Sequence, residues 1–160
     1  MTVTSVHKDP EARTMTITAE FDASVDRVWK LWADPRQLER WWGPPEHPAT
    51  VVRHDLNPGG TVSYFVTGPD GDRLSGWWRV LAVDAPRRLE FELGGPDMPT
   101  VTTRVSIDAR TGGGTRLTIE TTFASSEAMD QLLSMGFDEG LSTAVGQIDD
   151  ALRADAKPPA

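Results

Sequence analysis

The sequence predicts an α+β fold in which a curved antiparallel sheet of about seven strands wraps around a long C-terminal helix. Three observations carry this. Phe137, Leu141, Val145, Ile148 and Leu152 step by three or four residues, which sets all five on one side of an α-helix. From Met15 to Phe123 the chain reads mainly as short runs of strand type, separated by turn signals. The links between those runs are short, which favours an antiparallel meander. The concave face of that sheet is the obvious place for the helix to bury its stripe. A helix lying across a curved sheet encloses room for a small molecule.

Taken in order, residues 1–13 read as a flexible lead-in and 154–160 as a frayed tail, leaving one domain over 14–153. Met15, Ile17, Ala19 and Phe21 alternate with Thr16, Thr18 and Glu20, the pattern of a half-buried strand. Ser24 is placed to cap a helix over Val25–Ala33, whose apolar stripe is Val28, Leu31 and Trp32. Asp34-Pro35 ends it, because the residue before proline avoids the α region, and Pro35 suits the first turn of a second short helix. That helix holds Leu38, Trp41 and Trp42 and stops at Gly43-Pro44-Pro45. Six strands follow at about 49–56, 61–67, 73–84, 88–94, 100–109 and 114–123. Their breakers are Asn57-Pro58-Gly59-Gly60, Gly68-Pro69-Asp70-Gly71, Ala85-Pro86, Gly94-Gly95-Pro96 and Thr111-Gly112-Gly113-Gly114. The final helix begins near Ser125–Glu127.

Composition narrows the function. The net charge of −8, with no basic run denser than Arg87-Arg88, argues against nucleic acid and against anionic membrane surfaces as partners. Without cysteine, the chain can form no disulfide, thiol nucleophile or thiolate metal site. His7, His47 and His54 lack metal-ligand spacing, so no metal or other cofactor is expected. The polar N-terminus has no signal-peptide core and no apolar stretch is long enough to span a bilayer, so a cytoplasmic location is expected. The glycine-rich segments do not run from a strand into a helix, and so read as hairpin turns and not phosphate loops.

Four motifs in order resemble the START-like (SRPBCC) superfamily and, within it, the bacterial family similar to the C-terminal domain of activators of Hsp90 ATPase. They are Val28-Trp29 through Trp32-Ala33-Asp34-Pro35 to Trp41-Trp42-Gly43-Pro44; Asp55-Leu56-Asn57-Pro58-Gly59-Gly60; Gly76 with Pro86-Arg87-Arg88-Leu89-Glu90-Phe91; and Met135-Gly136 through Glu139-Gly140-Leu141 to Ile148 and Leu152. The resemblance implies the helix-grip fold. It departs at Leu141, where the family usually has Trp, and at Asn57, where it usually has Arg. The eukaryotic activators have a further N-terminal domain for which 160 residues leave no room, so co-chaperone activity is not implied.

Candidate ligand contacts are Trp42, His54, Tyr64, Trp78, Phe91, Phe137 and Leu141. Trp41 and Trp42 point about 100° apart on a helix, and large aromatics there more often pack than bind. Of Trp77 and Trp78, neighbours on a strand, one faces in and one out. The outward ring suits an interface, so the chain is expected to be a monomer or a homodimer. His54 alternates in phase with Val52 and Leu56, which places it inward, where a lone histidine is more often a core residue than a base. Tyr64, in phase with Val62 and Val66, is the best polar group for orienting a ligand. Asp138 and Glu139 flank the helical stripe and read as a solvated face. The expected function is a small-molecule module binding an apolar ligand between sheet and helix. Two alternatives are an enzyme of the polyketide cyclase or hydrolase type, with His54 and Tyr64 as the available pair, and a chaperone-regulating or other protein-interaction module.

Overall fold

The alternating runs form one antiparallel sheet of eight strands in the computed structural model of the chain, which describes residues 3–42, 49–67, 71, 73–95 and 98–156. The elements are β1 (Val3–Asp9), β2 (Thr14–Phe21), α1 (Val25–Ala33), α2 (Pro35–Trp41), β3 (Ala49–His54), β4 (Thr61–Thr67), β5 (Arg73–Asp84), β6 (Arg88–Gly95), β7 (Met98–Ala109), β8 (Thr115–Phe123), α3 (Ser126–Ser134), α4 (Phe137–Gly146) and α5 (Ile148–Ala156). In space the strands run β1-β2-β8-β7-β6-β5-β4-β3. The meander from β3 to β8 is therefore sequential, and β2 joins it on the β8 side.

The eighth strand is β1, which lies where a flexible lead-in was expected. Its order comes from pairing, with Val6 opposite Ile17 and Lys8 opposite Met15. A short polar segment carries little of that information in its own pattern. The breakers Gly43-Pro44-Pro45 and Gly68-Pro69-Asp70, residues Pro96 and His47, and the tail 157–160 lie outside the described residues.

Register lines the inward side chains up in rows across the sheet. One row reads His54, Val62, Trp78, Leu93, Val101 and Phe123. The next reads Val80, Phe91, Thr103, Thr121 and Met15. The phase expected for β3 needs correction. Val52 is 69% exposed, because a bulge between Val51 and Arg53 shifts the register there. A bulge adds one residue and flips the alternation after it. His54 therefore pairs with inward Val62 through the bulge, and not because it shares a face with Val52.

Local chemistry sets the helices. The Ser24 Oγ accepts from the Arg27 amide at 3.3 Å and caps α1, which buries Val28, Leu31 and Trp32. Asp34 ends α1 and caps α2, its Oδ1 accepting from the Arg36 amide at 2.9 Å. The long C-terminal helix comes in three pieces. Gly136, at φ 84°, divides α3 from α4, a left-handed conformation that favours glycine. At Gln147 the amide bonds the Ala144 carbonyl at 3.0 Å, one residue short of α-helical spacing, so α4 and α5 meet at a tight kink. Across it Val145, Ile148 and Leu152 stay buried, while Phe137 and Leu141 are half-buried. Two side chains tie this helix to the first pair: Gln147 Nε2 donates to the Trp41 carbonyl at 3.2 Å and an Arg27 guanidinium nitrogen to the Leu152 carbonyl at 2.9 Å.

Candidate functional site

An aromatic corner forms where α1 and α2 meet the β3–β6 half of the sheet. Trp78 stacks on Phe91 with centroids 4.2 Å apart, the two lying on adjacent strands one row apart. Trp42, the C-cap of α2, meets Trp78 edge-on at 5.0 Å and Tyr64 at 5.9 Å. Trp32 completes the group, touching Trp41, Trp42, Trp78 and Phe91 with centroids between 4.7 and 6.4 Å. Edge-to-face and offset pairs of this kind add about 0.5–1.5 kcal/mol each beyond burial. Trp32, Trp41, Trp78 and Phe91 are fully buried, and Trp42 nearly so.

Tyr64 is the polar member of the corner. Its cross-strand partner is Gly76, and a side chain at Gly76 would collide with the Tyr64 ring and hydroxyl. The glycine thus leaves a berth in which the phenol lies flat across β5. Burial pushes that phenol up to about 12, with the Trp42 and then the Trp78 indole N–H pulling more weakly the other way. Although the Trp78 indole lies toward the Tyr64 oxygen, its buried Nε1 closes no hydrogen bond among the described residues. The same is true of Trp32 Nε1 and Thr121 Oγ1. A buried polar atom without a partner costs about 1–3 kcal/mol.

The corner has an apolar rim. In the row Ala49, Val66 and Leu74, Val66 is half-buried and Leu74 is 61% exposed although it is in phase with inward Gly76 and Trp78. This puts an exposed leucine beside the half-buried Tyr64 ring.

The structure gathers Trp42, Tyr64, Trp78 and Phe91 into mutual contact. His54 sits at their edge, its Nε2 2.9 Å from the Trp32 carbonyl. A carbonyl only accepts, so Nε2 carries a proton and donates, fixing the end of β3 to α1. Phe137 lies elsewhere, packed edge-on against Phe123 at 5.9 Å. Phe123 is three strands from Trp78 in the same row, roughly 14 Å at ordinary strand spacing. Leu141 packs on the core one turn beyond Phe137. Trp32 was read only as stripe residue of α1; its spacing gave no sign that it would be the hub of the corner. Thr121 was not singled out at all. The pairing register that sets Thr121 beside Thr103 is what reveals it.

Asp138 also differs from expectation. It stands near the surface but has a partner that its own helix did not reveal: it pairs with Lys8 of β1 at 2.6 Å, and that ammonium holds its carboxyl below the usual range. The pair borders a cleft of about 610 Å³ between β1 and α4, lined by Val6, Lys8, Asp138, Glu139, Ser142 and Thr143. Its walls mix Val6 with hydroxyl and charged side chains, unlike the aromatic corner. Of the two adjacent tryptophans, Trp78 faces in and Trp77 out, 39% exposed and lying over Gly94. Among the described residues no helix is long and apolar enough to cross a membrane.

An eight-stranded antiparallel sheet followed by a kinked C-terminal helix is consistent with the helix-grip fold of START-like proteins. The family described as "Activator of Hsp90 ATPase homolog 1-like protein" matches residues 22–153, and the chain belongs to it. The crystal structure of protein Ms6760 from Mycobacterium smegmatis is 48% identical, covers 99% of each chain and superposes with a TM-score of 0.85. A solution structure of a protein from Arthrobacter aurescens is 44% identical over 97% of this chain and 94% of that one, with a TM-score of 0.91. A Rhodobacter sphaeroides protein shares the fold at 21% identity and a TM-score of 0.85, over 94% of this chain and 98% of its own. No curated protein matches the chain.

Proposed function

We propose that this protein binds a small, largely apolar molecule at the aromatic corner, with Trp42, Tyr64, Trp78 and Phe91 as its contacts. The observation that carries the reading is the continuity of the corner with an exposed apolar rim at Val66 and Leu74. Pockets for small ligands are largely apolar with a few placed polar groups, and Tyr64 and the unpaired indoles supply those. Binding free energy would come from burial of apolar ligand surface, about 25 cal/mol per Å² before ordering costs. In this reading the ligand is met in the cytoplasm.

The chemistry of Tyr64 and His54 favours binding over turnover. A phenol that keeps its proton to about pH 12 donates a hydrogen bond and does not serve as a base at neutral pH. One His54 nitrogen is already spent on the Trp32 carbonyl.

The test uses the neutral fluorophore N-phenyl-1-naphthylamine, read by quenching of tryptophan emission and by its own enhancement. Saturable binding near one per chain is expected, weakened several-fold in Leu74→Lys, whose exposed position leaves folding intact. Absence of binding by the folded protein, or the same affinity in Leu74→Lys, would overturn the proposal.

A further inference from the structure

The outer face of the sheet carries a second feature, apart from the aromatic corner. Outward arginines of β5–β8 are matched to carboxylates: Arg79 to Glu92, Arg88 to Asp108, Arg104 to Glu90 and Arg116 to Glu20. Toward the β3 edge this matching stops. Arg53 and Arg73 stand outward and exposed there, with no ion pair among the described residues. Arg73 instead lies over the Phe65 ring, its guanidinium carbon 4.5 Å from the centroid. That stacking steadies the group and leaves its N–H edges open to an acceptor. In a chain of net charge −8 the two arginines make a local positive patch.

Beside them lies Trp77. A side chain at Gly94 would meet its benzo ring, so the indole lies across β6 with its other face turned to solvent, 39% exposed. Its cross-strand neighbour on β4 is Ser63, and its strand neighbour toward Arg73 is Ser75, both too short to cover it. At ordinary strand spacing Arg53, on the same row, is about 10 Å from Trp77, and Phe65 beneath Arg73 about 8 Å. An exposed tryptophan flanked by arginines has the composition of an interface hot spot. A second copy fits poorly, because it would set four unpaired guanidiniums against one another. Single-stranded nucleic acid stacks successive bases, but Arg73 already covers the Phe65 ring and leaves one open platform. We propose that this part of the outer face docks a short, extended, acidic segment of another protein. An aromatic or aliphatic side chain of that segment lies on Trp77. Carboxylates two or three residues to either side, about 7–10 Å away in an extended chain, pair with Arg53 and Arg73.

Three peptides with capped ends test this by NMR of the labelled protein: GEDGFGDEG, GEDGAGDEG and GRKGFGKRG. The acidic phenylalanine peptide is expected to shift the assigned Trp77 indole signal and the Arg53 and Arg73 Nε–H signals saturably. Its alanine counterpart should bind several-fold weaker, and the basic peptide should leave those signals in place. Added salt should weaken the acidic peptide, since the pairs are exposed. The double variant Arg53→Glu with Arg73→Gln, both at exposed positions, should weaken it roughly ten-fold or more. No saturable shift at these signals in the folded protein, or equal binding by the basic peptide, would overturn the proposal. Unchanged affinity in the folded double variant would do the same. Equal binding of the phenylalanine and alanine peptides would remove Trp77 from the surface and overturn the proposal as stated. Tighter binding by octathymidylate at the same signals would also overturn it, marking the face as one for nucleic acid.

Discussion

Tyr64 and Gly76 face each other across two strands, and neither makes sense alone. The phenol needs a partner without a side chain, and the glycine, a weak residue inside a strand, is offset by the ring that covers it. Gly76→Ala should therefore cost about 1–3 kcal/mol by overpacking, and most of that cost should vanish in a Tyr64→Ala background. Denaturant unfolding of the four proteins of the cycle checks this; additive costs would mean that the ring is free to move aside. The phenol also makes a pH prediction. Its proton is held to about 12 in the folded state against about 10 in the unfolded chain, so the neutral form is favoured by folding. The associated stability is present below about pH 10 and lost as the pH rises toward about 12. Because Tyr64 is the sole tyrosine, phenolate absorbance reports it directly. A midpoint near 10 in the folded protein would contradict the burial. Strand phase was enough to turn Tyr64 inward, but not to choose between Trp77 and Trp78 or to detect the bulge that exposes Val52. Bulges are set by two strands together, and a single strand's pattern does not contain them.

At the scale of elements, α1 and α2 were legible through Ser24 and Pro35, which act locally, whereas the capping of α2 by Asp34 and the place of Trp42 just beyond that helix were not. The stripe of the C-terminal helix was also legible, and its burial at Val145, Ile148 and Leu152 follows the spacing. Its division was not, since the kink at Gln147 is held by a bond to Trp41, more than a hundred residues away. Removing everything after Phe123 should leave an unfolded or molten chain. Met129, Leu132, Val145, Ile148 and Leu152 would be lost from the core, each worth on the order of 1.5–3 kcal/mol when buried, against a typical stability of about 5–15 kcal/mol. A cooperative thermal transition in the truncated chain would refute this. The strand β1 shows a different limit. Missing it also hid the partner of Asp138. In Lys8→Met the Asp138 carboxyl should titrate closer to its ordinary range, by NMR. Its lowered value contributes stability above the unfolded carboxyl range, lost as the pH falls through the folded value. The contribution should be below about 1 kcal/mol, as for other exposed pairs, and a Lys8→Met variant with unchanged Asp138 titration would show the pair to be idle.

Across the whole molecule, the four motifs identified the family from the sequence, and the fold agrees with them. The place of the candidate site was only partly legible. Four of the seven candidates meet in one corner, with His54 at its edge, but Phe137 of α4 packs on Phe123, at the far end of the sheet row that holds Trp78, and Trp32 takes a central place it was not assigned. The reason is physical: phase tells which face a residue occupies, whereas its position along that face depends on register across many strands. As a place for a ligand the aromatic corner competes with the cleft between β1 and α4. Isotope-filtered NOE spectra of labelled protein with unlabelled N-phenyl-1-naphthylamine separate them. Contacts from the probe to Tyr64, Trp78 and Phe91 are the predicted result; contacts confined to Val6, Lys8, Ser142 and Thr143 would contradict the account.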